Sequence, residues 1–285
     1  MLRTSKISFP GFGIGEFEIN SVAFSIGGME IAWYALIITL GMIIATSHII
    51  YRSKQIGLPS EHTMDFVIWA IPIGVIGARL YYVIAQDEFH SLKHVLDIRS
   101  GGLAIYGGII AGAITVFVVS RVKKISFLAF ADCCTPGILF AQSIGRWGNF
   151  TNGEAFGAET DWFCRMGLTN VLTEHKTVYV HPTFLYESLW NLAGFVIANI
   201  IFKKRKYDGQ IFLFIFGWYG FGRMFIEGLR ADSLYGSFFG IEFRISQVLA
   251  ALIFAVCLFF LIYFAIKKPN RDLYYYTNKK TEKRK

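Results

Sequence analysis

Seven apolar stretches, separated by short polar segments, run along the chain. A helix needs about 20 apolar residues to cross a membrane, and each stretch reaches or nearly reaches that length. The pattern therefore predicts an all-α integral membrane protein with seven transmembrane helices. The third and fourth stretches are short and contain glycine, which predicts that they tilt, break or pack deeply. The stretches cover residues 29–51, 64–85, 103–120, 127–144, 182–202, 210–229 and 245–267.

The two ends of the chain depart from this pattern. Residues 1–28 combine Phe9 and Phe12 with several glycines, which predicts an ordered arm on the external membrane surface. No cleavable signal peptide is expected ahead of the first apolar stretch. Residues 268–285 are polar and basic, which predicts a cytoplasmic tail. The predicted organisation is thus a surface arm, a seven-helix transmembrane domain over 29–267 that carries the chemistry, and the tail.

Composition supports the membrane assignment. Hydrophobic residues make up 54% of the chain, the mean hydropathy is +0.47, and charged residues make up only 17%. Soluble domains usually contain about 25% charged residues, and nothing here is typical of disordered, collagen-like or disulfide-stapled chains. The net charge of +8 does not indicate nucleic-acid binding, because the basic residues lie in short loops between apolar stretches.

Lysine and arginine alternate in abundance from one loop to the next. Loops 52–63, 121–126 and 203–209, together with the segment from Lys267 onward, carry 17 of them. The alternate regions carry 9, and these regions are 1–28, 86–102, 145–181 and 230–244. Cytoplasmic loops hold the excess of Lys and Arg. The split predicts a plasma-membrane protein with an external N-terminus and a cytoplasmic C-terminus.

Five charged residues lie inside the apolar stretches, at the third position or deeper from either end. A charge within a membrane span is costly and indicates a functional site by default. Internal ion pairs that only stabilise packing are the alternative explanation. Arg223 and Glu227 stand four residues apart on one helix face, so they are positioned to pair. The five are Arg79, Asp132, Glu187, Arg223 and Glu227.

Polar residues and glycines concentrate in four clusters, all on the external side by the predicted orientation. Such a shared location predicts one outward-facing site built from several loops and helix ends. Arginine forks match phosphate oxygens, which makes Arg146 and Arg223 the candidate ligands of a phospholipid head group. Asn149, Asn152 and glycine backbone N–H groups are candidate further donors. The clusters are residues 99–108, 145–157, 181–187 and 219–230.

Several other kinds of site are not indicated. The six histidines show no metal-ligand spacing, so no metal is predicted. The sequence contains neither a nucleotide-binding P-loop nor a G-x-S-x-G elbow, and no cofactor is predicted. Cys133, Cys134 and Cys257 lie in apolar stretches, which is typical of small core residues, while Cys164 lies in a loop.

The segment G-R-W-G-N-F-T-N-G-E-A-F-G at 145–157 closely resembles the signature of bacterial prolipoprotein diacylglyceryl transferases. Six further segments occur in the order in which that family has them, and the resemblance extends over roughly residues 9–267. They are F-P-G-F near the start, A-W-Y at 32–34, G-A-R-L-Y-Y at 77–82, G-G-L-A-I-Y-G-G at 101–108, H-P-T-F-L-Y-E at 181–187 and Y-G-F-G-R-M-F-I-E at 219–227.

The resemblance implies an enzyme that transfers the diacylglyceryl group of phosphatidylglycerol to the lipobox cysteine of a secreted prolipoprotein. A thioether forms, glycerol phosphate leaves, and neither metal nor nucleotide takes part. The partners it implies are phosphatidylglycerol, the prolipoprotein signal peptide and the surrounding membrane lipid. The catalytic residues it implies are Arg146, Arg223, Tyr106, Glu154 and Glu227. The substrate-binding residues it implies are Arg146, Asn149, Gly157, Tyr34, Tyr219, Asn152, Gly153 and Arg79.

Tyr106 is a departure from the family pattern. Many members carry a histidine in that position, and that histidine has been proposed as the general base. A tyrosine either orients the substrate or acts as a base with a pKa well below its ordinary value of about 10. The residue that accepts the thiol proton therefore stays open.

Two other functional classes fit the residues without the resemblance. A transporter or channel would also carry buried charges in glycine-interrupted spans, although the inverted repeats typical of transporters are not detected. A lipid-binding scaffold without chemistry is the second alternative.

Overall fold

The computed structural model describes residues 4–86, 95, 102–231, 233, 235–238 and 241–267. This part of the chain is mostly helical, with seven α-helices of 17 to 26 residues. The helices are α1 (Trp33–Gln55), α2 (Ser60–Ala85), α3 (Ile105–Val122), α4 (Phe127–Asn152), α5 (Thr183–Ile201), α6 (Gln210–Ile226) and α7 (Ile245–Lys267). The predicted tail lies outside the described residues, as do most of loop 86–102 and residues 99–101 of the first cluster.

Within the described residues, five helices are long and apolar enough to cross a membrane, namely α1, α2, α4, α5 and α7. The other two are shorter: α6 has 17 residues and carries Arg223 in its last turn, and α3 has 18. These helices are consistent with the multi-pass membrane protein expected from the apolar stretches. The count of seven spans stays a prediction.

In the part of the chain that the structure describes, eight short strands accompany the helices, so the all-α prediction was too narrow. Four of them form an antiparallel sheet in the order β2-β1-β5-β6. The strands were missed because each has only three to seven residues. In addition, β1 pairs with β5 about 160 residues away, and no local sequence pattern predicts such a distant pairing. The strands are β1 (Thr4–Phe9), β2 (Ile14–Asn20), β3 (Val22–Ile26), β4 (Met29–Ala32), β5 (Met166–Thr169), β6 (Val178–Val180), β7 (Tyr235–Phe238) and β8 (Ile241–Arg244).

The sheet joins the predicted arm to the segment before α5. Ile7 of β1 faces Leu168 of β5, and both side chains are fully buried. Phe184, in the first turn of α5, packs into the same core. The core therefore couples the start of α5 to the N-terminal strands. Its buried members are Ile7, Met166, Leu168, Val180 and Phe184.

Two hairpins lead directly into helices. Gly27 and Gly28 connect β3 to β4 with φ of 56° and 81°, a conformation that favours glycine and suits a two-residue hairpin turn. The Trp33 N–H then donates to the Ser21 carbonyl at 2.9 Å where α1 begins. The second hairpin, β7–β8, runs without a break into α7.

The fourth predicted span ends later than expected. The apolar stretch stops at residue 144, but α4 continues to Asn152, so half of the 145–157 cluster is helical rather than loop. Glycine weakens a helix interior by about 1 kcal/mol. Here Gly148 is needed, because a Cβ on it would come within 2.6 Å of the Tyr34 ring. Packing against α1 therefore outweighs the glycine penalty.

The chain divides into two compact units. Among the described residues, the first comprises 4–47 and 134–267, and the second comprises 48–133. In the second unit α2 and α3 approach closely, because a Cβ on Gly77 would come within 2.8 Å of the Gly107 carbonyl oxygen. Small residues permit such backbone contact between membrane helices. Gly107 of the first cluster thus serves helix packing.

Candidate active site

Four charged side chains from three helices meet in the first unit. Arg146 of α4 donates through Nη2 to Glu187 Oε1 of α5 at 2.5 Å. Arg223 of α6 donates through Nη1 to Glu187 Oε2 at 2.9 Å, and its Nη2 lies 2.5 Å from Glu227 Oε2. The predicted pairing of Arg223 with Glu227 is confirmed. We call Arg146, Glu187, Arg223 and Glu227 the charge cluster.

Glu187 is the centre of the charge cluster, because its two carboxylate oxygens each bind a different arginine. It follows Phe184 by one helical turn, so anchoring of Phe184 in the sheet core also positions Glu187. The sequence prediction placed Glu187 in the cluster 181–187 and counted it as a charge within a span, but did not include it among the catalytic or substrate-binding residues. The signal was present, since an acidic residue one turn inside a span is costly without partners.

The acidic and the basic side chains of the charge cluster differ in their exposure. The two glutamates are each 3% exposed, whereas Arg146 is 21% and Arg223 is 16% exposed. Each guanidinium carries five N–H donors, more than the cluster uses. Pairing with buried carboxylates offsets the large cost of taking the arginines out of water. The arginine side chains are therefore the accessible members of the charge cluster, and the glutamates are its buried members.

Polar contacts link α4 to α5 beside the cluster. Ser143 donates its hydroxyl to the Ser188 carbonyl at 2.7 Å, and the Trp147 indole N–H donates to Ser188 Oγ at 3.2 Å. Aromatic contacts continue this interface, with Phe150 stacked on Phe184 at 4.6 Å. These contacts hold Arg146 at the level of Glu187.

A reciprocal pair of tryptophans links α5 to α6. Trp190 donates its indole N–H to the Trp218 carbonyl, and Trp218 donates to the Trp190 carbonyl, both at 2.9 Å. The two rings stack at 4.2 Å between centroids. Gly194 and Gly222 make room for the indoles, because a Cβ on either would overlap with the tryptophan of the other helix. The pair sets the axial register that brings Glu187 to Arg223.

A second polar group, which we call the amide turn, consists of Asn149, Asn152, Gly153 and Glu154. Glu154 Oε1 accepts from Asn152 Nδ2 at 2.9 Å and from Asn149 Nδ2 at 3.3 Å. Arg146 Nη1 in turn donates to Asn149 Oδ1 at 3.5 Å. The charge cluster and the amide turn therefore form one hydrogen-bonded chain of side chains.

Asn170 connects the amide turn to the sheet. Its side chain donates to the Gly153 carbonyl at 2.8 Å and to Ser5 Oγ at 3.3 Å. Gly153 has a φ of 62°, and a Cβ on it would come within 2.7 Å of Asn170 Nδ2. Only glycine fits this position without strain. Asn170 and Ser5 were not predicted as site residues.

Gly157 is required by the close approach of three backbone segments. Its N–H donates to the His181 carbonyl at 2.9 Å, and the next N–H, that of Ala158, donates to the Leu229 carbonyl at 2.7 Å. A Cβ on Gly157 would come within 2.6 Å of the His181 Cβ and 2.8 Å of the Leu229 carbonyl oxygen. This glycine thus ties the segments before α5 and after α6 together.

His181 and Cys164 share one partner. The Tyr186 hydroxyl lies 3.0 Å from Cys164 Sγ and 3.3 Å from His181 Nδ1. Partial burial lowers the pKa of His181 below its ordinary value, because burial disfavours the charged imidazolium. The three side chains hold the loop that contains Cys164 against the start of α5.

The C-terminal end of α6 is held by side chains that the sequence prediction missed. Arg244, at the end of β8, donates to the carbonyls of Glu227 and Gly228. Gln247 donates to the Met224 carbonyl at 2.8 Å. Free carbonyls at a helix end favour such donors. Glu227 is thereby positioned from its backbone as well as from its carboxylate.

The remaining predicted residues divide between the units. Tyr34 packs its ring against Gly148, and Tyr219 lies one helical turn before Arg223, both in the first unit. In the second unit Arg79 is buried and donates to the carbonyls of Val95 and Gly102 at 3.2 and 3.1 Å. Tyr106, in the first turn of α3, is half-exposed and 6.4 Å from the Tyr81 ring. Roles in substrate binding or catalysis stay predictions for all four.

Comparison with known proteins gives a consistent result along the chain. A family model described as prolipoprotein diacylglyceryl transferase matches residues 21–263. The phosphatidylglycerol–prolipoprotein diacylglyceryl transferase of Listeria welshimeri is 41% identical over 262 residues, which cover 90% of this chain and 93% of that protein. The protein of the same name from Enterococcus faecalis is 38% identical over 276 residues, covering 94% and 97%. That of Finegoldia magna is 42% identical over 238 residues, covering 82% and 92%.

Proposed function

Because the chain belongs to the prolipoprotein diacylglyceryl transferase family, we propose that it transfers the diacylglyceryl group of phosphatidylglycerol to the lipobox cysteine of secreted prolipoproteins. The thiol sulfur forms a bond to C3 of the lipid glycerol, the bond from C3 to the phosphate oxygen breaks, and glycerol phosphate leaves. This is the first step of lipoprotein maturation. The observation that carries the proposal is the charge cluster, in which the arginine side chains are partly accessible and the glutamate side chains are buried.

Arg146 and Arg223 are the proposed ligands of the phosphate. Both donate to Glu187 and both keep accessible surface. Preorganised donors aimed at developing charge stabilise a leaving group most strongly in a low-dielectric site. Glu187 and Glu227 hold the two guanidinium groups in place before the lipid arrives. The pair of arginines thus binds the phosphate and stabilises its charge as C3 is attacked.

The thiol must become a thiolate before it attacks, because the thiolate is the nucleophile. The sulfur and C3 must also be held in line, which is positional catalysis. The described structure assigns no base to the thiol proton. Glu154 and Glu227 are proposed to act by holding the binding groups in place. Glu154 accepts from Asn149, which accepts from Arg146, and Glu227 is ion-paired with Arg223.

The other substrate contacts are proposed along the same chain of residues. Asn149 and Asn152 have amides oriented by Glu154, and Gly153 and Gly157 are the backbone positions around them. Tyr34, Tyr219 and Arg79 complete the proposed substrate-binding residues.

Tyr106 is proposed to orient the substrate. We expect Tyr106→Phe to keep measurable activity, because the aromatic ring and its packing survive the loss of the hydroxyl. The check is diacylglyceryl transfer by Tyr106→Phe beside Tyr81→Phe, its neighbour on α2, as the matched control. Complete loss of transfer with normal membrane levels of Tyr106→Phe would instead assign proton transfer to the hydroxyl.

The proposed topology has seven spans, which are the five long apolar helices together with α3 and α6. Residues 1–28 form an external arm, and residues 268–285 form a cytoplasmic tail. It is supported by the alternation of 17 and 9 basic residues between loops. Reporter fusions after Lys124 and Lys206 should read cytoplasmic, and a fusion within 160–176 should read external. An external reading at Lys206 would rule out this topology.

The decisive experiment uses the full-length protein in detergent with phosphatidylglycerol and a peptide that contains a lipobox cysteine. A mass gain of one diacylglyceryl unit on the cysteine is the expected result. A peptide with serine in place of that cysteine is the control and should gain nothing. Movement of lipid or peptide without covalent change would indicate a transporter, and lipid binding alone would indicate a scaffold.

A further inference from the structure

Asn191 of α5 is a buried amide that the charge cluster does not use. It lies one helical turn after Glu187 on the same buried face of the helix. The residue is 0% exposed, and among the described residues neither its Nδ2 nor its Oδ1 has a hydrogen-bond partner. A leucine of similar volume would fill the position without any polar group to satisfy.

The lack of a partner is costly inside a membrane. A buried amide donor or acceptor left without a partner costs about 1–3 kcal/mol. Asn199, eight residues further along the same helix, shows that α5 can satisfy an asparagine, because its Nδ2 donates to the Phe195 carbonyl at 2.7 Å. Asn191 does not donate to the corresponding carbonyl of its own helix, that of Glu187. Its amide is therefore available to a partner other than its own backbone.

The position of Asn191 matches a particular part of a phospholipid. An α-helix rises about 1.5 Å per residue, so Asn191 lies about 6 Å further into the bundle than Glu187. A phosphate bound by Arg146 and Arg223 leaves the ester carbonyls as the next polar groups toward the acyl chains. A carbonyl oxygen is an acceptor, and Asn191 Nδ2 is a donor that the described residues leave unpaired.

We propose that Asn191 is a specificity residue for the lipid, donating from its amide to an ester carbonyl of the diacylglyceryl group. This inference rests on the proposed function, since the phosphate at the charge cluster places the carbonyl. The amide atoms are covered by neighbouring side chains, so the lipid displaces those side chains as it enters. The hydrogen bond forms with ester-linked lipid, and an ether-linked lipid has no carbonyl oxygen to accept it.

The test compares two forms of phosphatidylglycerol with equal chain lengths, one with ester-linked and one with ether-linked chains. The full-length protein in detergent should prefer the ester lipid about tenfold in kcat/KM for transfer, the size of one neutral hydrogen bond. Asn191→Leu and Asn191→Ala should transfer from both lipids with nearly equal kcat/KM. Two variants are used because leucine replaces the amide with an apolar side chain of similar shape, whereas alanine leaves a cavity. Asn199→Leu is the matched control and should keep the preference.

Binding of the two lipids without peptide, measured by displacement of a fluorescent phosphatidylglycerol, separates this inference from the proposed function. If no thioether forms with either lipid, the proposed function fails, while the ester preference in binding still decides the role of Asn191. If the Asn191 variants lose the same factor in kcat/KM with both lipids, the ester preference is kept. That result would overturn the inference and assign the amide to packing. A parent protein without ester preference in transfer and in binding would overturn it as well.

Discussion

The charge cluster and the amide turn are neighbours joined by one hydrogen bond, yet they are assembled differently. In the charge cluster Glu187 bridges to arginines 41 and 36 residues away, on two other helices. In the amide turn Glu154 binds amides two and five residues away. The cluster therefore depends on the register of α4, α5 and α6, whereas the turn depends on local backbone. A change in helix packing should disrupt the first and spare the second.

The largest effect should come from Glu187→Gln, which removes the charge that both arginines share. Breaking a buried ion pair costs about 3–5 kcal/mol, and a loss of ~3–4 kcal/mol in the transition state is a 100- to 1,000-fold lower rate. Transfer to a lipobox peptide at saturating lipid measures it. Glu174→Gln, an exposed carboxylate next to Lys176, is the control and should leave the rate unchanged. A Glu187→Gln rate within threefold of the parent would show that the bridge is dispensable.

Arg146→Lys tests whether the cluster needs a fork or only a charge. An ammonium is a point charge and cannot bind Glu187 and a phosphate through parallel N–H groups. The loss of one charged hydrogen bond, about 1.5–3 kcal/mol, predicts a 10- to 100-fold lower rate. The rate is compared at limiting and saturating phosphatidylglycerol, with Arg165→Lys in the loop before β5 as control. Parent-like rates at both lipid levels would shift the phosphate role to Arg223.

Gly222→Ala should change the register without touching a charge. The added methyl would overlap with the Trp190 indole and push α5 from α6, away from the contact between Glu187 and Arg223. Overpacking of this kind costs about 1–3 kcal/mol. We expect a lower unfolding temperature in detergent and about a tenfold loss of transfer. The matched control is Gly112→Ala on α3, where no described atom lies within 4 Å of the new methyl. Equal unfolding temperatures and equal transfer rates for Gly222→Ala and Gly112→Ala would contradict the argument that packing of α5 against α6 sets the register of the cluster.

The smallest effects should appear in the amide turn. Glu154→Gln keeps an oxygen that can accept from Asn149 and Asn152, so transfer should stay within about threefold of the parent. Glu154→Ala loses both hydrogen bonds, each worth about 0.5–1 kcal/mol net, and should lower transfer about tenfold. A Glu154→Gln variant as impaired as Glu154→Ala would show that the charge itself is required, and Glu154 would become a candidate for the thiol base.

Local pattern accounts for the parts of the molecule that the sequence predicted. Apolar runs predicted the helices, since a chain in lipid must satisfy its backbone N–H and C=O groups within each helix. The pair Arg223 and Glu227 followed from spacing on one helix, and the site residues of the amide turn lie within six positions of one another. These features depend on residues near each other in sequence, so the sequence alone was sufficient to predict them.

Pairing between distant segments was decided by the tertiary structure alone. The antiparallel match of β1 with β5, the continuation of α4 to Asn152 against Tyr34, and the bridging position of Glu187 each depend on which surfaces meet. The same holds for Asn191, whose lack of a partner among the described residues cannot be seen until its neighbours are in place. The length and periodicity of an apolar segment indicate whether it is buried, but they do not identify the segment that it contacts. That partner is determined by packing across the whole fold.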